Sequence, residues 1–168
     1  EFRRVLFRSD DGGDDRFVFG GNHECIYKSG DYGDDGDDQI YGGEGNDQLD
    51  GGAGDNKLYG QEGNDRLIGT DGNDYIEGGA GNDRILAGAG DNEIYGDDGD
   101  DEITTGDGND VIDAGDGDDT ITAAEGDNTI QGGGGDDTIT VGDGNDSIDA
   151  GDGNDTITAA EGDNFIQG

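Results

Sequence analysis

Residues 42–50 read GGEGNDQLD, residues 69–77 GTDGNDYIE, residues 105–113 TGDGNDVID and residues 150–158 AGDGNDTIT. These are samples of one nine-residue unit. From Gly33 the unit repeats without a gap fifteen times, starting at 33, 42, 51, 60, 69, 78, 87, 96, 105, 114, 123, 132, 141, 150 and 159 and ending at Gln167. The fourth place is Gly in every unit, from Gly36 to Gly162, and the eighth is Ile or Leu in every unit, from Ile40 through Leu49, Leu58 and Leu67 to Ile166. The sixth place is Asp in eleven units and Asn in four. Self-similarity at so short a fixed period marks a solenoid.

One apolar residue between two polar ones reads as a short strand with its middle side chain turned inward. The six residues before it are largely Gly, Asp and Asn, which favour turns and positive φ. Strand, turn, strand, turn makes a chain that coils, with successive strands on opposite sides, so that two units (18 residues) complete one turn. Like units then stack at roughly the 4.7–4.9 Å spacing of neighbouring strands. The expected interior is a thin seam of stacked Ile and Leu.

The surroundings of the array narrow the possibilities. Of 168 residues 39 are Gly, none is Pro, and one is Cys, so neither collagen nor a disulfide framework is available. No stretch approaches the roughly 18 apolar residues of a membrane span. Asp and Glu number 45 against 8 Lys and Arg, a formal net charge of -37, which would repel nucleic-acid phosphates. The last basic residue is Arg84, and residues 85–168 carry 24 acidic ones with nothing to offset them. Such a chain is either disordered or neutralised by a cation from outside. One Ile or Leu per nine residues does not offset the entropy of ordering a Gly-rich segment, so the seam alone does not hold the fold.

The acidic turns supply the missing term. In a stacked roll each turn lies above the turn two units earlier, and sixth-place Asp residues meet across each gap. Carboxylates plus turn carbonyls make an oxygen-only pocket, suited to a hard cation that takes six to eight ligands. Calcium fits that description. Magnesium prefers tighter octahedral geometry, and zinc favours His or Cys, of which the chain has one each.

Units such as GGEGNDQLD (42–50) and GGAGNDRIL (78–86) resemble the repeats-in-toxin (RTX) nonapeptide, glycine-glycine-x-glycine-x-aspartate-x-apolar-x. The resemblance covers residues 33–167 and implies an all-β fold, a right-handed parallel β-roll (β-solenoid) with two nonapeptides per turn. It also implies several bound Ca2+ ions, folding triggered by calcium outside the cell, and a parent such as a secreted bacterial toxin, protease, lipase or adhesin, often exported by type I secretion. Family sites use the sixth-place Asp and carbonyls of the Gly-rich turn. Carried over, the carboxylates are Asp38, Asp47, Asp65, Asp74, Asp83, Asp101, Asp110, Asp119, Asp137, Asp146 and Asp155. The carbonyls are those around Gly36, Gly45, Gly63, Gly72, Gly81, Gly99, Gly108, Gly117, Gly135, Gly144 and Gly153.

The four exceptions are regular. Asn56, Asn92, Asn128 and Asn164 recur every 36 residues, each preceded by an Asp (Asp55, Asp91, Asp127, Asp163), so GND has become GDN. Thirty-six residues are two full turns, which puts all four on one edge of the roll. There each of seven gaps pairs an Asn turn with an Asp turn, whereas the other edge has six gaps flanked by Asp on both sides. The expectation is up to six stronger sites on the all-Asp edge and up to seven weaker or differently ligated ones opposite.

Other features carry less. Residues 1–9 (EFRRVLFRS) hold three of the eight basic residues, resemble the translated end of a sequencing-library adapter, and are set aside. Residues 10–32 read as two degenerate units and a register break, forming a cap or bulge before the roll of 33–168. His23 and Cys25 fall there without a supporting motif, so no enzyme is expected on this segment. The chain stops at Gly168, the first place of another unit, and other domains of a parent chain are expected beyond both ends. Thr104, Thr120, Thr122, Thr138, Thr140, Thr156 and Thr158 line one sheet outward; stacked Thr pairs resemble ice-binding solenoid faces, or simply suit exposed strands. Tyr41, Tyr59, Tyr75 and Tyr95 lie on the opposite sheet, available for a glycan or for each other. Two readings therefore stand: a calcium-binding module of a secreted protein, and a recognition surface for ice or a glycan on the same roll.

Overall fold

The computed structural model describes residues 16–18 and 35–168. The described residues form strands, turns and bends with no helix, and so none long and apolar enough to cross a membrane. Numbered in chain order, one sheet holds β1 (Arg16–Val18), β2 (Gln39–Glu44), β4 (Lys57–Glu62), β6 (Tyr75–Ala80), β8 (Glu93–Asp98), β10 (Val111–Asp116), β12 (Thr129–Gly134), β14 (Ser147–Asp152) and β16 (Phe165–Gln167), stacked in that order. The facing sheet holds β3 (Gln48–Asp50), β5 (Arg66–Asp71), β7 (Arg84–Ala89), β9 (Glu102–Thr105), β11 (Thr120–Ala123), β13 (Thr138–Val141) and β15 (Thr156–Ala159). Every pairing is parallel, as a coil of constant sense requires.

Within the array the register advances by one 18-residue turn at each pairing: Ile40 lies opposite Leu58, Leu58 opposite Ile76, and Ile121 opposite Ile139. β1 joins with Phe17 opposite Ile40, a separation of 23 residues that absorbs the five-residue break read at 28–32. The rest of the proposed cap, with His23 and Cys25, lies outside the described residues.

The eighth-place residues from Ile40 to Ile148 are buried, which is the expected seam. The interior is wider than that expectation, however. Most strands of both sheets continue past the ninth place into the following unit. Side chains alternate along a strand, so the residue two beyond the inward Ile also points inward. That first-place residue is buried at Ala87, Ala114, Ala123, Val141 and Ala150, making a second and narrower apolar column.

The fourth-place Gly has a steric reason. All fifteen have φ between 113° and 155°, a region disfavoured for residues with a Cβ. At Gly99 an added Cβ would lie 2.2 Å from the Gly81 carbonyl oxygen one turn away. Its N–H donates to the Asp116 carbonyl of the next turn at 2.8 Å, so the turns are zipped as the strands are.

Outside the roll, Tyr41 and Tyr59 stack with centroids 4.7 Å apart, and Tyr59, Tyr75 and Tyr95 continue the column at 5.6 Å intervals. On the other sheet, Thr120, Thr138 and Thr156 are in register, as are Thr122, Thr140 and Thr158, and all six are exposed.

Candidate metal centre

The two turn columns of the roll carry all the sixth-place residues. Each such side chain from Asp38 to Asp146 is buried, and Asp155 and Asn164 at the last turns are half-buried. A buried carboxylate needs partners, and half of that need is met in one repeated way. Oδ1 of each sixth-place residue from Asn56 to Asn164 accepts the backbone N–H of the sixth-place residue one turn earlier. Thus Asp47 donates to Asp65 at 2.7 Å, Asp65 to Asp83 at 2.6 Å, Asp83 to Asp101 at 2.7 Å and Asp119 to Asp137 at 2.9 Å. The same ladder runs up the mixed edge, from Asp38 to Asn56 and from Asp74 to Asn92. The sequence expectation of carboxylates meeting directly across each gap is refined by this: one oxygen of each belongs to the backbone.

The other oxygen has no such partner. Oδ2 of Asp65, Asp74, Asp83, Asp101, Asp110, Asp119, Asp137 and Asp146 is buried without a hydrogen bond. It also sits among other oxygens. Asp65 Oδ2 and the Gly78 carbonyl oxygen both lie 2.4 Å from where a Cβ on Gly60 would stand. Asp101 Oδ2 and the Ala114 carbonyl oxygen crowd the corresponding point on Gly96 in the same way. Several lone pairs converging with no proton between them are unfavourable unless a positive charge joins them. Burial accordingly raises five of them from an ordinary 3.8, Asp65 and Asp74 to about 6 and Asp83, Asp101 and Asp119 to about 7. Among the described residues no three His, Cys, Asp or Glu side chains converge on one point, so a cation here needs backbone carbonyls. The donor set is oxygen alone, which fits a hard divalent ion.

The Asn turns resolve the same crowding differently. Asn56 Nδ2 takes the place beside Gly51 that Asp74 Oδ2 takes beside Gly69, at 2.8 and 2.3 Å from the respective Cβ positions. Being a donor, it bonds to the Gly52 and Gly54 carbonyl oxygens at 3.3 and 3.0 Å. Asn92 donates to Gly88 and Gly90, and also to Asp110 Oδ1 at 3.0 Å. Asn128 repeats this with Gly126 and Asp146 Oδ1.

Some features of the turns were not read from the sequence. Fifth-place residues form a second, exposed ladder of opposite direction, as where Asp100 donates its N–H to Asn82 Oδ1 and Asp118 to Asp100 Oδ1. Asp55, Asp91, Asp127 and Asp163 belong to this outer ladder and not to the buried one. The mixed edge also changes its path. Gly52, Thr70 and Gly88 have positive φ at the second place, while Gly106, Ala124, Gly142 and Ala160 do not. The change coincides with a register shift between β7 and β9 and with Thr105 and Val141 replacing Gly at the first place. Beside the all-Asp edge, Asp97, Asp98, Asp113, Asp116 and Asp152 line an open acidic depression.

A parallel solenoid with buried carboxylate turns recurring along both edges defines a class of protein: a metal-binding repeat roll. The family model of the RTX calcium-binding nonapeptide repeat matches at residues 32–67, 59–94, 68–103, 95–130 and 131–166. The chain belongs to that family, whose repeats bind several calcium ions per roll. No curated protein was found to match the chain.

Proposed function

We propose that this roll is the calcium-triggered folding module of a protein that works outside the cell, with no catalysis of its own. The observation that carries the reading is the series of buried Oδ2 atoms from Asp65 to Asp146, each without a hydrogen-bond donor, with backbone carbonyl oxygens crowded near those of Asp65, Asp74, Asp83, Asp101 and Asp137. The ligands are the sixth-place carboxylates Asp38, Asp47, Asp65, Asp74, Asp83, Asp101, Asp110, Asp119, Asp137, Asp146 and Asp155, completed by turn carbonyls. Each ion joins two successive turns that otherwise repel, so binding and folding are one event. Extracellular calcium modules bind with dissociation constants of roughly 10⁻⁴–10⁻³ M, which leaves the chain unfolded in the cytosol and folds it after export.

The test is far-UV circular dichroism during a calcium titration, with magnesium as control. A cooperative coil-to-β transition near millimolar calcium, weak with magnesium, is the expected result. A chain already β without metal, or one that never responds, overturns the reading.

The exposed Thr ladder of β11, β13 and β15 supports a second reading, an ice-binding face displayed on the calcium roll. Thermal hysteresis of the calcium-loaded chain tests it, and its absence removes it.

A further inference from the structure

We infer that the side-chain amides of Asn56, Asn92 and Asn128 replace bound ions, so that the mixed edge takes calcium only in alternate gaps. The inference rests on the calcium reading above and extends it to positions where this chain departs from its repeat.

The argument is a comparison of two isosteric side chains in one pocket. In an Asp turn such as that of Asp74, Oδ1 accepts a backbone N–H from the previous turn and Oδ2 is buried without a donor. In an Asn turn such as that of Asn92, Oδ1 accepts the same kind of N–H, from Asp74, at 2.9 Å. Nδ2 then donates to two carbonyls of its own turn and to Asp110 Oδ1 of the next. Asp110 Oδ1 also accepts the Asn92 backbone N–H, and Nδ2 is the counterpart of the Oδ2 that an Asp turn leaves bare for a cation. The amide's two hydrogens supply internally the positive charge that the carboxylate needs from outside. An ion between Asn92 and Asp110 would have to displace these hydrogen bonds and would meet an N–H donor in place of a bare carboxylate oxygen, so calcium is excluded there.

Direction along the stack follows from the same bonds. Each amide closes the gap toward the following turn: Asn56 to Asp74, Asn92 to Asp110, Asn128 to Asp146. The intervening gaps begin at Asp74, Asp110 and Asp146, whose Oδ2 atoms are buried and bare, and these remain cation sites. The mixed edge is thus a column of alternating amide-closed and ion-closed gaps, with a period of two turns set by the 36-residue recurrence of GDN. Its seven gaps are not equivalent weak sites but two different kinds.

The experiment compares the chain with its N56D/N92D/N128D variant, counting bound calcium by equilibrium dialysis and atomic absorption at saturating metal. The expected result is one further ion for each carboxylate restored, together with a larger loss of β signal when calcium is removed. Equal, non-zero counts in both chains overturn the inference and leave the calcium reading standing. No binding by the parent chain removes both. Should the triple variant fail to fold, N92D alone is expected to add one ion. Anomalous diffraction from the calcium-loaded parent gives an independent answer: peaks in the gaps that begin at Asp74, Asp110 and Asp146, and none between Asn92 and Asp110. A peak there refutes the assignment.

Discussion

The backbone N–H of Asp83 donates to Oδ1 of Asp101 at 2.7 Å, and the bond leaves Asp101 Oδ2 buried beside the carbonyl oxygen of Ala114 with no donor of its own. One carboxylate therefore does two separable jobs, tying two turns together through Oδ1 and offering Oδ2 to a cation. Two substitutions separate them. Asp101→Asn keeps the acceptor and adds an amide donor, as at Asn92, so the chain is expected to bind fewer ions while keeping more β structure in chelator. Asp101→Ala removes both functions and strands the Asp83 N–H, at a cost of about 1–3 kcal/mol. Dialysis counts and chelator-treated dichroism check both. Identical metal-free spectra for the two variants would contradict the division of labour.

Acidity should mimic the metal in part. Burial pushes Asp65 and Asp74 up to about 6 and Asp83, Asp101 and Asp119 up to about 7, from 3.8 in the unfolded chain. Because the folded-state values are raised, the metal-free roll holds protons that the unfolded chain has released. Its stability is then fullest below the unfolded value and is lost as pH rises through about 6 to 7. Chelator-treated protein is expected to gain β signal on going from about pH 7.5 to about pH 5. Calcium competes with the same protons, so its apparent affinity should fall over that window. Dichroism at both pH values, with and without metal, reads both trends. A metal-free signal that declines on acidification would show that the carboxyls are not the source of the strain.

How much of this was legible in the sequence depends on the place within the unit. Ile85 could be placed in the interior and Asp101 in a turn column from period alone, because the eighth place is Ile or Leu in every unit and the sixth is Asp or Asn. Ala123 and Val141 could not, since they sit where the unit reads as Gly turn; the usable signal was that they stand two beyond an inward Ile, on the same face. The exchange of GND for GDN at Asn92 was visible, and its 36-residue spacing gave the edge. The direction of its amide was not, because that depends on carbonyls of its own turn and on Asp110 in the next, which only the stacked structure brings together. The outer ladder through Asn82 and Asp100 was hidden for the same reason.

The fourth-place Gly is expected to be far less replaceable than a Gly at the third place. Gly99 has φ 128°, and a Cβ there would lie 2.2 Å from the Gly81 carbonyl oxygen. Gly99→Ala should raise the calcium midpoint and cost at least about 2 kcal/mol, since both the backbone and the stack must yield. Gly134, at the third place, is not in the left-handed region, and a Cβ would meet only Asp116 Oδ1 at 3.4 Å. Gly134→Ala should change stability by no more than about 0.5 kcal/mol. Urea titrations in saturating calcium compare them. Equal effects would mean that the close approach at the fourth place is not what fixes Gly there.

Thr105 offers a test of the second apolar column. Its side chain is buried at the first place, and Oγ1 has no hydrogen-bond partner. Thirty-six residues on, the equivalent position is Val141, buried in the same column. Val matches Thr in shape and removes the unsatisfied hydroxyl, whose burial costs on the order of 1–3 kcal/mol. Thr105→Val is therefore expected to raise the urea midpoint in calcium by the equivalent of about 1 kcal/mol, and Val141→Thr to lower it by a similar amount. The two positions differ in one respect that sharpens the comparison: Thr105 lies where β9 shifts register against β7. If Thr105→Val instead destabilises the loaded roll while Val141→Thr behaves as expected, the hydroxyl is being used when metal is bound. A first-place oxygen would then join the carbonyls and carboxylates as part of the cation's shell at that turn.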